Sequence, residues 1–455
     1  MSVLAVTALF CATLNAQAPS APTYSAALAE VQKGRFSAAI PMLEKILIQA
    51  PGDLKARNLL GIALMSSGRR REANVQFRKT LAADPRFHPA LKNLAINELE
   101  LGERKEARAH FEQAARLVPR DAVVHFHLGR IHFAESRFAQ AAAQFEMAQD
   151  GFPDPYQAGF NLVLAYVRSG NYAAAIRAGE PLAAAGHRTA ELYNLLAQAH
   201  AQSGEIQQAY DALRTATRID PREESNYLDL MRLSLENRNW DLSLEISEIA
   251  LERIPRAHRI RLQRGAVFAM QGRLEEAASE FDAAARAAPG ENLPHVAAAL
   301  VRIEQSRLAE AIDSLRARRS VSPNDYLVNW ILGEALVQAL VEQAAPPGTP
   351  AEKEAAQALN AAVRANPRAA PPRALLAKLA ARRGDPAAAI GHFEVALRLD
   401  PEDASSAYQL AVLCQKTGKT QRAAELFAKV GQARAEDPAR TAERNLVRII
   451  REGSR

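Results

Sequence analysis

Proline returns every 34 residues through most of this chain, at Pro51, Pro85, Pro119 and Pro153. His187 holds the next place in phase, and the period resumes at Pro221, Pro255, Pro289 and Pro323. Pro367 follows after 44 residues and Pro401 after a further 34. Twelve residues ahead of each proline is a tiny side chain, such as Ala39, Ala73, Ala107, Ala141, Ser243 or Ala389. Ala175 keeps that phase where the proline is missing. A glycine usually stands five residues earlier still, as in "GRFSA" and "GRLEEA". Such a register marks a repeated supersecondary unit rather than one large globular core.

Each spacing has a physical reason. Apolar residues recur at helical spacing on both sides of the glycine, so each unit is predicted to be two helices joined by a tight turn. The glycine ends the first helix in a conformation that penalises a Cβ. Gly61, Ala95, Gly129 and Gly265 fall where the first helix crosses the second, opposite Ala107 and its equivalents. Small residues there let the two axes close up. Phe77, Phe111, Phe145, Phe281 and Phe393 are expected to fill the space toward the neighbouring unit. Proline then starts the next turn, where a missing N–H does no harm. Alanine supplies much of the 48% apolar content and aromatics only 6%, a balance that suits closely packed helices.

The pattern closely resembles the tetratricopeptide repeat, a 34-residue helix–turn–helix with small residues at positions 8, 20 and 27 and proline at 32. Units starting near 20, 54, 88, 122, 156, 190, 224, 258, 292, 326, 370 and 404 place an array over residues 24–434. The resemblance implies an all-α fold, a right-handed α-solenoid superhelix of about twelve units. The unit at Glu224 departs most, with Met231, Arg238 and Ser243 at signature positions, and a local change of superhelical pitch is expected there. A ten-residue excess around 341–350, "VEQAAPPGTP", reads as a surface loop inserted between two helices.

The array leaves no room for a catalytic domain, and no phosphate-cradling loop, nucleophile elbow or HExxH occurs. The chain is therefore expected to be non-enzymatic and to need no cofactor. The resemblance instead implies binding of a partner protein or peptide on a concave face lined by first helices. Positions 5, 9, 12 and 13 of the family register point there. They place Phe126, Arg130, Phe160, Leu164, Arg168, Asn194, Gln198, Arg232, Leu262, Trp330, Glu334 and Tyr408 on or near the groove. At position 5, packing against the next unit competes with ligand contact. The family's carboxylate clamp is absent. Asn93 and Asn161 stand at the middle-asparagine position, but their flanking units lack the required Lys, Asn and Arg. The net charge of +6 comes from basic residues spread along the chain, so no nucleic-acid footprint is expected.

"VHFHLGRIHF", residues 124–133, raises a metal-site question. His125 and His132 lie seven residues apart, roughly 10 Å along a helix, and His127 points about 200° away from His125. No pair has the one-turn spacing that lets two imidazoles share a metal. His125 and His132, like His200, occupy core positions of the register, so they are expected to pack inward and no metal is expected. Cys11 and Cys414 are too few for a disulfide framework.

The ends differ from the array. Val3–Leu14 is an apolar run followed by Ala16-Gln17-Ala18, the pattern of a signal peptide over 1–18, although no Lys or Arg precedes it. Residues 19–23 then read as a linker. Export to the periplasm or the extracellular space is expected, with cytoplasmic residence the alternative. Residues 435–455 read as a basic amphipathic helix that caps the array, with weak membrane-surface contact as its second role. The leading expectation is a protein-binding scaffold for envelope or secretion assemblies. The alternatives are a recruiting subunit of a separate enzyme, such as a glycosyltransferase, and a membrane-peripheral scaffold.

Overall fold

A computed structural model describes residues 22–432, so the expected signal segment and C-terminal cap lie outside the described residues. Those residues form twenty-four α-helices and no strand. Two compact units divide between Ala209 and Tyr210, inside α12.

The first unit runs α1 (Tyr24–Gln32), α2 (Phe36–Gln49), α3 (Leu54–Ser66), α4 (Arg70–Ala83), α5 (His88–Glu100), α6 (Arg104–Leu117), α7 (Ala122–Ala134), α8 (Phe138–Ala148), α9 (Pro155–Arg168), α10 (Tyr172–Ala184) and α11 (Ala190–Gln202) into α12 (Ile206–Ile219). The second continues with α13 (Glu224–Glu236), α14 (Trp240–Arg253), α15 (His258–Met270), α16 (Leu274–Ala287), α17 (Asn292–Glu304) and α18 (Leu308–Val321). It ends with α19 (Tyr326–Glu342), α20 (Pro350–Ala365), α21 (Pro371–Arg382), α22 (Pro386–Leu399), α23 (Ala404–Lys416) and α24 (Thr420–Gln432). Within each unit the helices pack pairwise in chain order, a helical-repeat solenoid.

Helix ends follow from local chemistry. Eight of the twelve first helices start on capping side chains, as where Asp53 Oδ1 accepts from the Ala56 N–H at 2.9 Å, whereas α5, α15, α17 and α21 have no side-chain cap. The turn inside each pair needs a left-handed residue. Gly34, Gly68, Gly102, Gly170, Gly204, Gly272, Gly384 and Gly418 supply it with φ between +72° and +85°. Ser136, Arg238 and Ser306 hold the same place at φ +58°, +54° and +60°, so pair geometry overrides the residue's own preference.

The pair interior is a large-on-small contact. A Cβ added at Gly61 would lie 2.3 Å from the Phe77 ring, and one at Gly129 2.6 Å from Phe145. Gly265 with Phe281 and Gly333 with Leu359 repeat this at 2.6 Å. Phe77, Phe145 and Phe281 therefore do more than fill space toward the neighbouring unit: each of these rings lies on the glycine of its own pair. They also join the next pair's core, as Phe77 does with Leu94 and Phe145 with Leu162. The pair of α13 and α14 reverses the sizes. Buried Met231 stands at the small position and buried Ser247 at the phenylalanine position, so the departure expected to alter the superhelical pitch has a volume-conserving counterpart within its own pair.

The prolines do more than end helices. Their carbonyls are captured by the side chain six residues later: His125 Nε2 on Pro119 at 2.9 Å, Tyr227 on Pro221 at 3.1 Å, Arg261 on Pro255 at 3.2 Å and Asn329 on Pro323 at 2.9 Å. Arg57 does the same at Pro51. Where that position is apolar, at Leu91 and Ala407, Gln113 and Lys429 reach back from a second helix to Pro85 and Pro401, at 3.1 and 2.6 Å. Each latch satisfies a loop carbonyl at the junction between pairs.

The excess around 341–350 is not simply a loop. α19 has 17 residues against 13 in α3, and α20 has 16 against 14 in α4. Six of the ten extra residues therefore lengthen helices, because no breaker precedes Pro346, and Ala344 makes the turn at φ +46°.

Candidate partner-binding face

In the first unit, α9 carries Phe160, Leu164 and Arg168 one turn apart, and α11 packs directly beside it. Phe160 and Leu164 are half-buried and Arg168 is exposed; on α11, Asn194 is half-buried and Gln198 exposed. Arg130 on α7 is also exposed. Neither Arg130 nor Arg168 has an acidic partner among the described residues, while many other arginines are ion-paired. Tyr156 frames the start of α9: its hydroxyl meets Thr189 Oγ1 at 2.8 Å, and its ring stacks on His187 at 4.7 Å. That contact holds the turn in which His187 replaces the periodic proline. Sequence reasoning missed Tyr156.

Phe126 does not belong to this surface. It is 3% exposed, stacked on Phe152 at 4.0 Å and against Phe145 at 5.7 Å. The cause is local: α8 has 11 residues instead of the 14 of α6, and the longer connection that follows folds Phe152 over Phe126. The asparagines at the clamp position are also engaged. Asn93 donates to Asn58 Oδ1 at 3.2 Å, and Asn161 to the Gln157 carbonyl at 2.7 Å.

In the second unit α13, α15, α17, α19 and α21 lie side by side as one layer of first helices. Leu262 and Trp330 are 6% and 5% exposed and share one apolar cluster, so neither is available for a partner. Trp330 stacks on Tyr326 at 5.6 Å and its buried Nε1 has no hydrogen-bond partner. Glu334, one turn on, is half-buried. Burial raises its carboxyl above the usual carboxylate range; Lys378 opposes this and Glu304 adds to it. Arg232 is exposed but held by Asp229 at 3.3 Å and Glu236 at 3.0 Å, which weakens its role as a charge contact. Tyr408 is 53% exposed, with its ring at an edge angle 5.9 Å from Phe427.

The histidines separate into three environments. His125 is buried, bonded through Nδ1 to Gln144 at 2.8 Å and through Nε2 to the Pro119 carbonyl. His127 stacks on Phe111 at 5.2 Å, and burial with the nearby Arg130 cation lowers its pKa to about 4, against a smaller pull from Asp121. His132, expected in the core, is half-buried with Nδ1 unpartnered. His200 is buried and its Nδ1 meets Glu205 at 2.5 Å. Among the described residues no three His, Cys, Asp or Glu side chains converge as metal ligands, and no helix is long and apolar enough to cross a membrane. A groove of about 510 Å³ lies among α22, α23 and α24, lined by Leu397, Leu410 and Leu426 with Arg398, Arg422 and Glu425.

No curated protein matches the sequence. Among solved structures, yeast Tom70 is similar at 15% identity over 94% of each chain, with a TM-score of 0.42. The Cut9–Hcn1 hetero-tetramer of APC/C is similar at 12% identity over 94% of this chain and 95% of that one, also at 0.42. A tetratricopeptide repeat protein from Parabacteroides merdae covers 50% of this chain and 91% of its own, at 17% identity and 0.35. A family profile described as Tetratricopeptide repeat matches residues 92–156, 160–224, 228–292 and 352–404, and a second with the same description matches 30–96 and 380–442. With these matches spanning most of the helix pairs, the chain belongs to the tetratricopeptide repeat family of protein-interaction scaffolds.

Proposed function

We propose that the chain is a non-catalytic scaffold whose first-helix face in the first unit holds a peptide or helical segment of another protein. The observation that carries this is the α9–α11 surface. Half-buried Phe160 and Leu164 share α9 with exposed Arg168 and lie beside α11, which exposes Gln198; Arg130 is exposed on α7, and the two arginines lack acidic partners among the described residues. Such a surface suits a segment with apolar anchors and a carboxylate, because the apolar contacts supply affinity and the cations orient it. Its place is outside the cytoplasm, in envelope or secretion assemblies, on the strength of Val3–Leu14 followed by Ala16-Gln17-Ala18.

Affinity capture with the intact chain and with a Phe160→Ala, Leu164→Ala, Arg168→Glu variant tests the binding role. The variant should fold equally and lose its partners; retention of the same partners contradicts the proposal. A mature N-terminus just after Ala18 supports export, and an uncleaved chain in the cytoplasm argues against it.

A further inference from the structure

The α19 region carries a carboxylate that the fold leaves unanswered. Glu334 is half-buried in the first-helix layer, one turn from buried Trp330, and no described donor hydrogen-bonds it. In the same layer the half-buried Leu300 and Ile303 pack against the cluster that holds Trp330, and Lys378 and Glu304 are the charges that act on Glu334. A carboxylate so placed loses hydration without gaining a partner, a cost that a cation or hydrogen-bond donor would remove. Lys378 on α21 is the attracting charge that the layer itself offers, and it forms no ion pair with Glu334.

The chain contains a segment of matching chemistry. Residues 433–455, outside the described residues, hold six arginines against four acidic residues. At their centre Leu446-Val447-Arg448-Ile449-Ile450 sets one guanidinium between two apolar pairs, the complement of one carboxylate in an apolar surface. Reach is sufficient. Sixteen residues separate Gln432 from Arg448, up to roughly 50 Å of extended chain. α19 lies two pairs back from α23, on the order of 20 Å at usual helix spacing.

We infer that residues 444–452 dock on the first-helix layer of the second unit, with Arg448 against Glu334 and its apolar neighbours against the half-buried Leu300 and Ile303. The docked segment is an internal competitor for any partner of that layer. This rests on the first-helix layer being the binding face, and names its occupant in the second unit.

Hydrogen–deuterium exchange on the full chain reads the amides of residues 444–452 directly. In the wild type they should exchange at least tenfold more slowly than in Glu334→Arg or Arg448→Glu, and the double charge swap should restore the slow rate. Arg448→Glu leaves the described array untouched, so it gives the answer even if Glu334→Arg disturbs folding. Unprotected amides in the wild type overturn the inference. So does protection that neither single substitution changes, which would seat the segment elsewhere, such as on the groove among α22, α23 and α24. The measurement needs no partner, so a failed capture experiment leaves its outcome standing.

Discussion

The Phe145 ring lies over Gly129 so closely that a Cβ there would stand 2.6 Å from it. This contact sets how near α7 and α8 approach, and it recurs wherever glycine and a large residue occupy these two positions. Gly129→Ala should therefore cost about 1–3 kcal/mol through overpacking, measured by urea unfolding. The reversed pair gives a second arm. Ser247→Phe should destabilise while Met231 remains, and Met231→Gly with Ser247→Phe should recover most of the loss, a coupling that a double-mutant cycle reads.

The left-handed turns give an opposite sign. Ser136, Arg238 and Ser306 are exposed and hold positive φ where eight equivalent turns use glycine. Each substitution to glycine should stabilise by about 0.5–1 kcal/mol, relief of strain outweighing the added freedom of the unfolded chain. A fall in thermal midpoint on all three would contradict this.

Most of the fold was legible because the small residues, glycines and prolines act through local geometry. Ala107 and Gly102 mark a crossing and a turn whatever surrounds them. The binding face was less legible, because exposure at register position 5 depends on neighbouring connections. Phe126 is covered only because α8 ends early and Phe152 folds back, and neither event follows from the period. Trp330 and Leu262 sink into a cluster built from several helix pairs. Phe160 and Leu164 keep an open edge. The insertion is partly helical for a local reason: the helical run of α19 continues past its usual end to Glu342, and the turn at Ala344 closes it before Pro346.

His125 is a junction latch. Losing its bonds to the Pro119 carbonyl and to Gln144 should cost about 1–3 kcal/mol in His125→Ala, since the imidazole that makes them is buried. His125→Arg should retain part of this, because Arg57 and Arg261 fill the same role in other pairs. Equal losses in both variants would show that packing alone matters.

His127 predicts a pH dependence. Its pKa is about 4 in the folded chain and 6.5 ordinarily, so between these values the unfolded state binds more protons. Stability from this residue is fully present above pH 6.5 and declines as pH falls toward 4. Moving from pH 7 to 5 should cost the wild type about 1–2 kcal/mol more than His127→Phe, by denaturant titration of both. Parallel losses would remove His127 from the explanation.

Whether partners seat on the α9–α11 face is read by site-specific photo-cross-linking. A photoreactive residue at Leu164 or Gln198 should capture partner protein, and one at Met147, exposed on second helix α8, should not. Capture from position 147 with none from 164 or 198 would place the partner on the opposite helices and contradict the proposed binding mode.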